Sequence, residues 1–312
     1  MTAQTASVLK TSLIQGNIPQ HKKWNTEEKK NILDHYNNLT IEASKEKPDL
    51  IVWPETATPG SLKEDEHVNL SVGKIVRATG IPLLTGSSST GKIVIKERKM
   101  KRDFNSAFLL DGSGTIVSTY SKLRLLPFGE YIPFEGIFPW PKWLVPISGI
   151  CVPGNHHTVF EFPKGKFGVV ICWEILFPDL FRIFVQRGSE FMLNLTNEAW
   201  FGKTEASHQI LAMSVFRAVE NRVSVLRCAN TGVTCLIDPV GRIRSKVVDE
   251  QGNDIMVTGI LTVTVPKKGE APFYSKYGDI FATICSIGAI VITVITLLPL
   301  NVRRYLKVTG DR

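Results

Sequence analysis

The chain has little cysteine and none of it in a recognisable pattern. Its five cysteines, Cys151, Cys172, Cys228, Cys235 and Cys285, are odd in number and irregular in spacing. That excludes a disulfide framework, and no CxxC pair or Cys/His cluster offers zinc a site. The opening MTAQTASVLKTSLIQG lacks the apolar stretch of a signal peptide. No short-period repeat is present. The 24 glycines and 17 prolines follow no fixed period, so collagen-like and low-complexity architectures are excluded. Charged residues make up 21% and hydrophobic residues 43%, which rules out both whole-chain disorder and a multi-span transporter. Length, at 312 residues, allows one large domain or two ordinary ones. The net charge of +8 suits an anionic partner, but no nucleic-acid motif accompanies it, which leaves a phospholipid surface.

What the chain does have is one long apolar run. Residues 280–300 read IFATICSIGAIVITVITLLPL without a charge, between Asp279 and Arg303-Arg304. About 20 apolar residues cross a bilayer core as a helix, so one C-terminal transmembrane helix is expected over 280–300, followed by a short basic tail over 301–312. The alternative is a buried core helix. Ahead of it, a globular body is expected over 8–270. There, short apolar strands at 11–15, 50–53, 81–87, 167–171, 190–197, 223–229, 233–238 and 256–263 alternate with helical patterns near 25–47, 64–79, 177–188 and 205–222. A hairpin spans 106–120, with DGSG as its turn. The alternation predicts an α/β layered fold with mixed sheets.

Three segments place a reactive side chain at the end of an apolar strand, where sites of open α/β sheets lie. LIVWPET puts Glu55 there, YSKLRLLPFGEYIP puts Lys122 there with Glu130 eight residues later, and GVVICWEILF puts Cys172 there. Each alone has an ordinary explanation: a capping carboxylate, a solvated lysine, a core cysteine. Together they supply a general base, an electrostatic clamp and a nucleophile. A helix beginning directly after Cys172 is expected to favour its thiolate and to lend backbone N–H groups to an oxyanion. Nothing in such a scheme calls for a metal or organic cofactor.

The segments QGNIPQHKKW (15–24), WPETATP (53–59), YSKLRLLPFGEYIPF (120–134), ICWEILFPDLFR (171–182), NLTNEAWFG (194–202) and RAVENRVSVLRCANTGVTCLIDPVGRI (217–243) resemble the carbon–nitrogen hydrolase (nitrilase) superfamily. Within it they resemble the apolipoprotein N-acyltransferases of bacterial membranes. The resemblance implies a nitrilase-type α-β-β-α sandwich. It implies a transfer in which a phospholipid acyl donor loads Cys172 as a thioester and the amine of a diacylglyceryl apolipoprotein acceptor takes the chain. It further implies Glu55 as base, Lys122 as oxyanion clamp, Glu130, Trp173 and Glu174 as supporting residues, and Trp24 near lipid entry. Glu198 stands where the family has Asp, and the family's Gln-His order is not kept at His208-Gln209. The family also carries transmembrane helices ahead of this region, so an upstream membrane segment or a separate transmembrane subunit is expected.

Residues 131–150, YIPFEGIFPWPKWLVPISGI, hold five aromatics, four prolines and only Glu135 and Lys142 as charges. They are expected either to pack as a loop on the body or to dip into the membrane as an arm, with Trp140 and Trp143 touching lipid. Four basic residues follow the apolar run and three precede it closely, which tilts the C-terminus towards the cytoplasm and the body to the outer face of the bacterial inner membrane. The competing readings are a membrane-tethered amidase or nitrilase acting on a small substrate, and a non-catalytic anchored binding module.

Overall fold

A computed structural model describes residues 9–297 apart from 24, 96–97, 135–136, 139 and 142–150, with backbone alone over 92–101. Trp24, Trp143 and the basic tail lie outside the described residues.

The first half builds β1 (Lys10–Gln15), a short α1 (Gln20–Lys23), α2 (Lys29–Ser44), β2 (Leu50–Val52), α3 (Glu66–Thr79), β3 (Leu83–Ile95), β4 (Arg98–Leu110) and β5 (Ile116–Ser121). The second half adds β6 (Val159–Phe162), β7 (Gly165–Ile171), α4 (Pro178–Gln186), β8 (Phe191–Thr196), α5 (Ala206–Asn221), β9 (Ser224–Ala229), β10 (Cys235–Ile237), β11 (Ile243–Lys246), β12 (Gly259–Thr264), α6 (Phe273–Tyr277) and α7 (Ile280–Leu297). Two six-stranded sheets result, ordered β12-β1-β2-β3-β4-β5 and β11-β10-β9-β8-β7-β6.

Side-chain alternation produces the layers. In the first sheet, Leu13, Leu50, Val52, Leu84, Ala107 and Leu109 enter a core shared with β7, β8 and β9 of the second sheet. Their neighbours Ile14, Ile51, Trp53, Leu83, Phe108 and Leu110 face the other way, onto Ile32, Leu33 and Tyr36 of α2 and Val68, Val72 and Val76 of α3. Successive strand residues point to opposite faces, so one sheet is covered on both sides. The second sheet is packed in turn by Leu180, Phe181 and Phe184 of α4 and Leu211 and Ala218 of α5. This is the expected α-β-β-α sandwich. The shared core is stitched where the Cys228 thiol, on β9, reaches the carbonyls of Ile14 and Val52, each at 3.4 Å.

The elements differ from expectation mainly at edges. The strand expected over 81–87 runs on to Ile95 and pairs with a β4 that begins at Arg98, thirteen residues each. The hairpin expected over 106–120 is the β4–β5 end of that ribbon. The helix start expected at Asn25 is a 3-10 turn, with Asn25 Oδ1 accepting from the Glu27 N–H before α2 begins. No residue of α7 is buried. That overturns the core-helix alternative and leaves a helix long and apolar enough to cross a membrane.

Topology brings the candidate residues to one edge. β1, β2 and β3 run parallel, as do β7, β8 and β9. β4 reverses and β5 reverses again, so Lys122, just past β5, emerges on the same side as Glu55, just past β2. Gly86 makes this possible. A Cβ there would lie 2.6 Å from the Glu55 Cα and the Pro54 carbonyl oxygen and 2.7 Å from the Thr56 nitrogen. Those are backbone atoms of a turn already holding Thr56 at φ +43°, and they have no flexible end to yield. Gly86→Ala is expected to destabilise the fold by about 1–3 kcal/mol and to displace Glu55. Chemical denaturation would check the first effect. An unchanged midpoint would mean that the turn is not tightly packed against β3.

Candidate active site

Glu55 is buried, with both carboxylate oxygens engaged. Oε1 accepts from Asn105 Nδ2 at 2.7 Å, and Oε2 accepts from the Asn197 N–H at 2.7 Å. The second bond crosses from one sheet to the other. Lys122 is also buried, its Nζ 2.8 Å from Glu130 Oε1 and 3.8 Å from Glu55 Oε1. Asn105 Nδ2 bridges the two carboxylates, reaching Glu130 Oε1 at 3.0 Å. Glu130 is itself fixed by the Leu126 N–H, which donates to its Oε2 at 2.7 Å. A turn with Phe128 at φ +61° folds this loop back onto Lys122.

Cys172 follows β7 and is half-buried, with φ +54°. It opens a five-residue 3-10 turn, Cys172–Leu176, and α4 begins only at Pro178. The expected helix directly behind the thiol is therefore absent, and the thiolate is not favoured at rest. Burial, then the Glu55 charge, push the thiol up to about 12, against the opposing pull of Lys122. Burial alone would pull Lys122 down. The negative charge of Cys172 once it is ionised, and those of Glu55 and Glu130, outweigh it and hold the ammonium above its ordinary value. The site thus combines a neutral thiol, a secure cation and a carboxylate able to take a proton.

The other expected residues divide. Glu174 is fully buried and faces the backbone, accepting from the N–H groups of Leu123, Arg124 and Ile171 and from the Tyr120 hydroxyl. It ties the Cys172 turn to the strand bearing Lys122. The Trp173 indole N–H donates to the Arg124 carbonyl at 2.6 Å, on the same junction. Trp140 donates to the Pro133 carbonyl at 2.7 Å and packs edge-on against Phe128 and Phe138. Phe134, Ile137 and Phe138 beside it are exposed. Glu198 forms a fully buried ion pair with Arg227. His208 lies away from the cluster, between Glu205 and Asp254.

Against known proteins, residues 10–268 match the carbon-nitrogen hydrolase family. The chain belongs to that family. It is 36% identical over 284 residues to an apolipoprotein N-acyltransferase of Geobacter metallireducens, covering 91% of this chain and 53% of that protein. It is 32% identical over 301 residues to one of Chlorobaculum tepidum, covering 90% and 55% respectively. The chain thus spans about half the length of these curated relatives. In three dimensions it resembles a cysteine-to-serine variant of an amidase from Nesterenkonia AN1, of the nitrilase superfamily, with TM-score 0.61 and 18% identity over 85% of this chain and 94% of that one. That likeness establishes the nitrilase-type fold.

Within this carbon–nitrogen hydrolase body, several residues at the site carry no sequence signal. Asn105 sits inside a strand, and Asn197 acts through its backbone. Lys23, in a basic stretch, reads as a solvated residue but is buried, its Nζ 3.1 Å from the Glu55 carbonyl oxygen. Burial lowers its ammonium to about 7, against the raising effect of Glu55. Between pH 7 and its ordinary value of about 10.5, the unfolded chain holds a proton that the folded chain has released. Stability contributed here therefore rises with pH across that window. Thermal melts in one detergent should show the wild type gaining on Lys23→Met from pH 7 to pH 9. A constant gap would mean that Lys23 does not titrate in the fold.

Proposed function

We propose that the chain is the catalytic body of an apolipoprotein N-acyltransferase. The observation that carries this reading is the joining of a Glu55–Lys122–Cys172 cluster to an exposed, wholly apolar helix in one carbon–nitrogen hydrolase body. The relatives bearing that activity's name support it.

In the first half-reaction Glu55 takes the Cys172 proton as sulfur attacks the ester carbonyl of a phospholipid. Negative charge moves onto the carbonyl oxygen, where the Lys122 ammonium and the Trp173 backbone N–H receive it. Collapse expels the lysophospholipid alkoxide, which takes the proton from Glu55, and leaves a thioester. In the second half the α-amine of an S-diacylglyceryl-cysteine lipoprotein attacks the thioester. Glu55 removes the proton from nitrogen and returns it to the departing sulfur. A thioester suits this sequence because it conserves enough reactivity for an amine to attack. Glu130 and Asn105 hold Lys122 and Glu55 in register. The helix 280–297 crosses the bacterial inner membrane, with the body on the outer face and the aromatic segment around Trp140 against lipid.

Incubation with phospholipid micelles, followed by intact-mass measurement, should reveal an adduct of one acyl chain that hydroxylamine removes and Cys172→Ala lacks. An unmodified protein that hydrolyses small amides would instead establish a tethered amidase. An inert protein would leave a binding module.

Rate measurements separate the roles. Glu55→Gln should slow thioester formation and aminolysis alike, since the base serves both. Lys122→Met should do the same by about 10²–10³-fold, the cost of losing an oxyanion donor. Wild-type turnover in either variant would remove that residue from the mechanism.

A further inference from the structure

Asn194 lies on β8, between Val170 on β7 and Arg227 on β9 in the strand register. All the polar capacity of its buried amide that matters here is committed. Nδ2 donates to the carbonyls of both Val170 and Cys172, each at 3.2 Å. Oδ1 accepts from Arg227 Nη1 at 2.8 Å. The amide cannot flip without setting its NH₂ against the guanidinium and its oxygen against two carbonyls.

Arg227 is held just as firmly. Its side chain is fully buried, its Nε donates to the Val233 carbonyl at 3.1 Å, and its Nη2 pairs with Glu198. Glu198 fits only because residue 232 is glycine: a Cβ there would collide with Glu198 Oε2. The chain of contacts runs Glu198–Arg227–Asn194–Cys172 and ends on the nucleophile's own backbone.

A trans peptide points its C=O and its following N–H in opposite directions. The Cys172 carbonyl and the Trp173 N–H belong to one peptide plane. Fixing the carbonyl on Asn194 therefore fixes the direction in which the Trp173 N–H faces. The plane needs such a restraint, because Cys172 holds a left-handed φ, which crowds the Cβ of any residue but glycine. We propose that Asn194, oriented by the buried Arg227–Glu198 pair, is a positioning residue that aims the Cys172–Trp173 peptide so that its N–H stabilises the acylation oxyanion. This rests on the reading of Cys172 as the acyl-accepting nucleophile.

The test compares two reactions of one thiol in the full chain in detergent. Acylation by p-nitrophenyl butyrate passes through a tetrahedral oxyanion, whereas alkylation by iodoacetamide displaces iodide and forms none. Both are read as mass gained at Cys172. Asn194→Leu is expected to slow acylation by about 10²–10³-fold, the loss seen when an oxyanion donor is removed, and to leave alkylation within about twofold. Asn194→Asp keeps the volume and the Arg227 contact but turns an acceptor towards two carbonyls. It should behave like Asn194→Leu, which guards against a folding defect in the latter. Equal slowing of acylation and alkylation in both variants would show a general collapse of the turn and overturn the proposal, as would wild-type acylation in both. A wild type acylated by the nitrophenyl ester but never by phospholipid would sink the acyltransferase reading and leave this assignment standing. A wild type alkylated at Cys172 but acylated by neither donor would overturn both.

Discussion

Lys122 sits buried between Glu55 and Glu130, where little water competes for it, and the site's chemistry follows from that arrangement. Two carboxylates around one ammonium leave the cluster one negative charge in excess. Burial first, and then the Glu55 charge, hold the Cys172 thiol protonated, and ionising it on its own would add to that excess. Transfer of its proton to Glu55 is different, because it moves charge within the cluster and leaves the total unchanged. In the proposed reaction the subsequent attack would carry negative charge onto the substrate oxygen, next to the cation. A thiolate formed in advance would gain little here. Glu55 as the proposed base, held by Asn105 and by the Asn197 N–H with a lone pair left for the proton, suits the transfer better.

The cluster is assembled from two sheets. Glu55, Asn105 and Lys122 come from the first, and Cys172, Asn194 and Asn197 from the second. The spacing between Glu55 and Cys172 is therefore set by the apolar core between the sheets, whose side chains are close-packed and resist small displacements. Polar ties cross that interface too, among them the Asn197 N–H on Glu55, the Cys228 thiol on two carbonyls of the facing sheet, and the Tyr120 hydroxyl with the Leu123 and Arg124 N–H groups on Glu174. The same division explains the place of a costly buried ion pair such as Arg227–Glu198. Replacement of such pairs by apolar residues often leaves stability unharmed. What an apolar pair could not do is orient the Asn194 amide.

The sequence reveals most where one physical signal dominates. LIVW and FGVVI are apolar throughout because their strands are covered on both faces, and that pattern places Glu55 and Cys172 at strand ends without any structure. The β5 end was equally legible from the hairpin turn at DGSG. Elements with competing signals were not. β11, IRSK, is mostly exposed, and β6 is four residues long. Both take their conformation from the neighbour they pair with. At the site, Glu174 adjoins the cysteine in sequence and so reads as part of its chemistry, yet its oxygens serve backbone N–H groups. Lys23 gives the opposite error, since a buried lysine has no local signature when its partner, the Glu55 carbonyl, lies 32 residues away.

The apolar helix adds a constraint that the body alone would not impose. Amphipathic helices dock one face on a protein or an interface. α7 carries no charged side chain, and none of its residues is buried among the described ones, which is the pattern for solvation by hydrocarbon. Its eighteen described residues span about 27 Å at 1.5 Å per residue, close to the roughly 30 Å of a bilayer core. The helix is not loosely tethered. Just before it, the Ser275 hydroxyl bonds to Asn221 on α5, its carbonyl accepts from Gln186 on α4, and Gly278 lies against the Arg182 guanidinium. α4 is the helix that follows the Cys172 turn. A membrane position for α7 would therefore hold the body at the bilayer surface through the same layer that supports Cys172. In the proposed reaction an acyl chain, which has almost no solubility of its own, would then have to travel only from the lipid to an adjacent thiol.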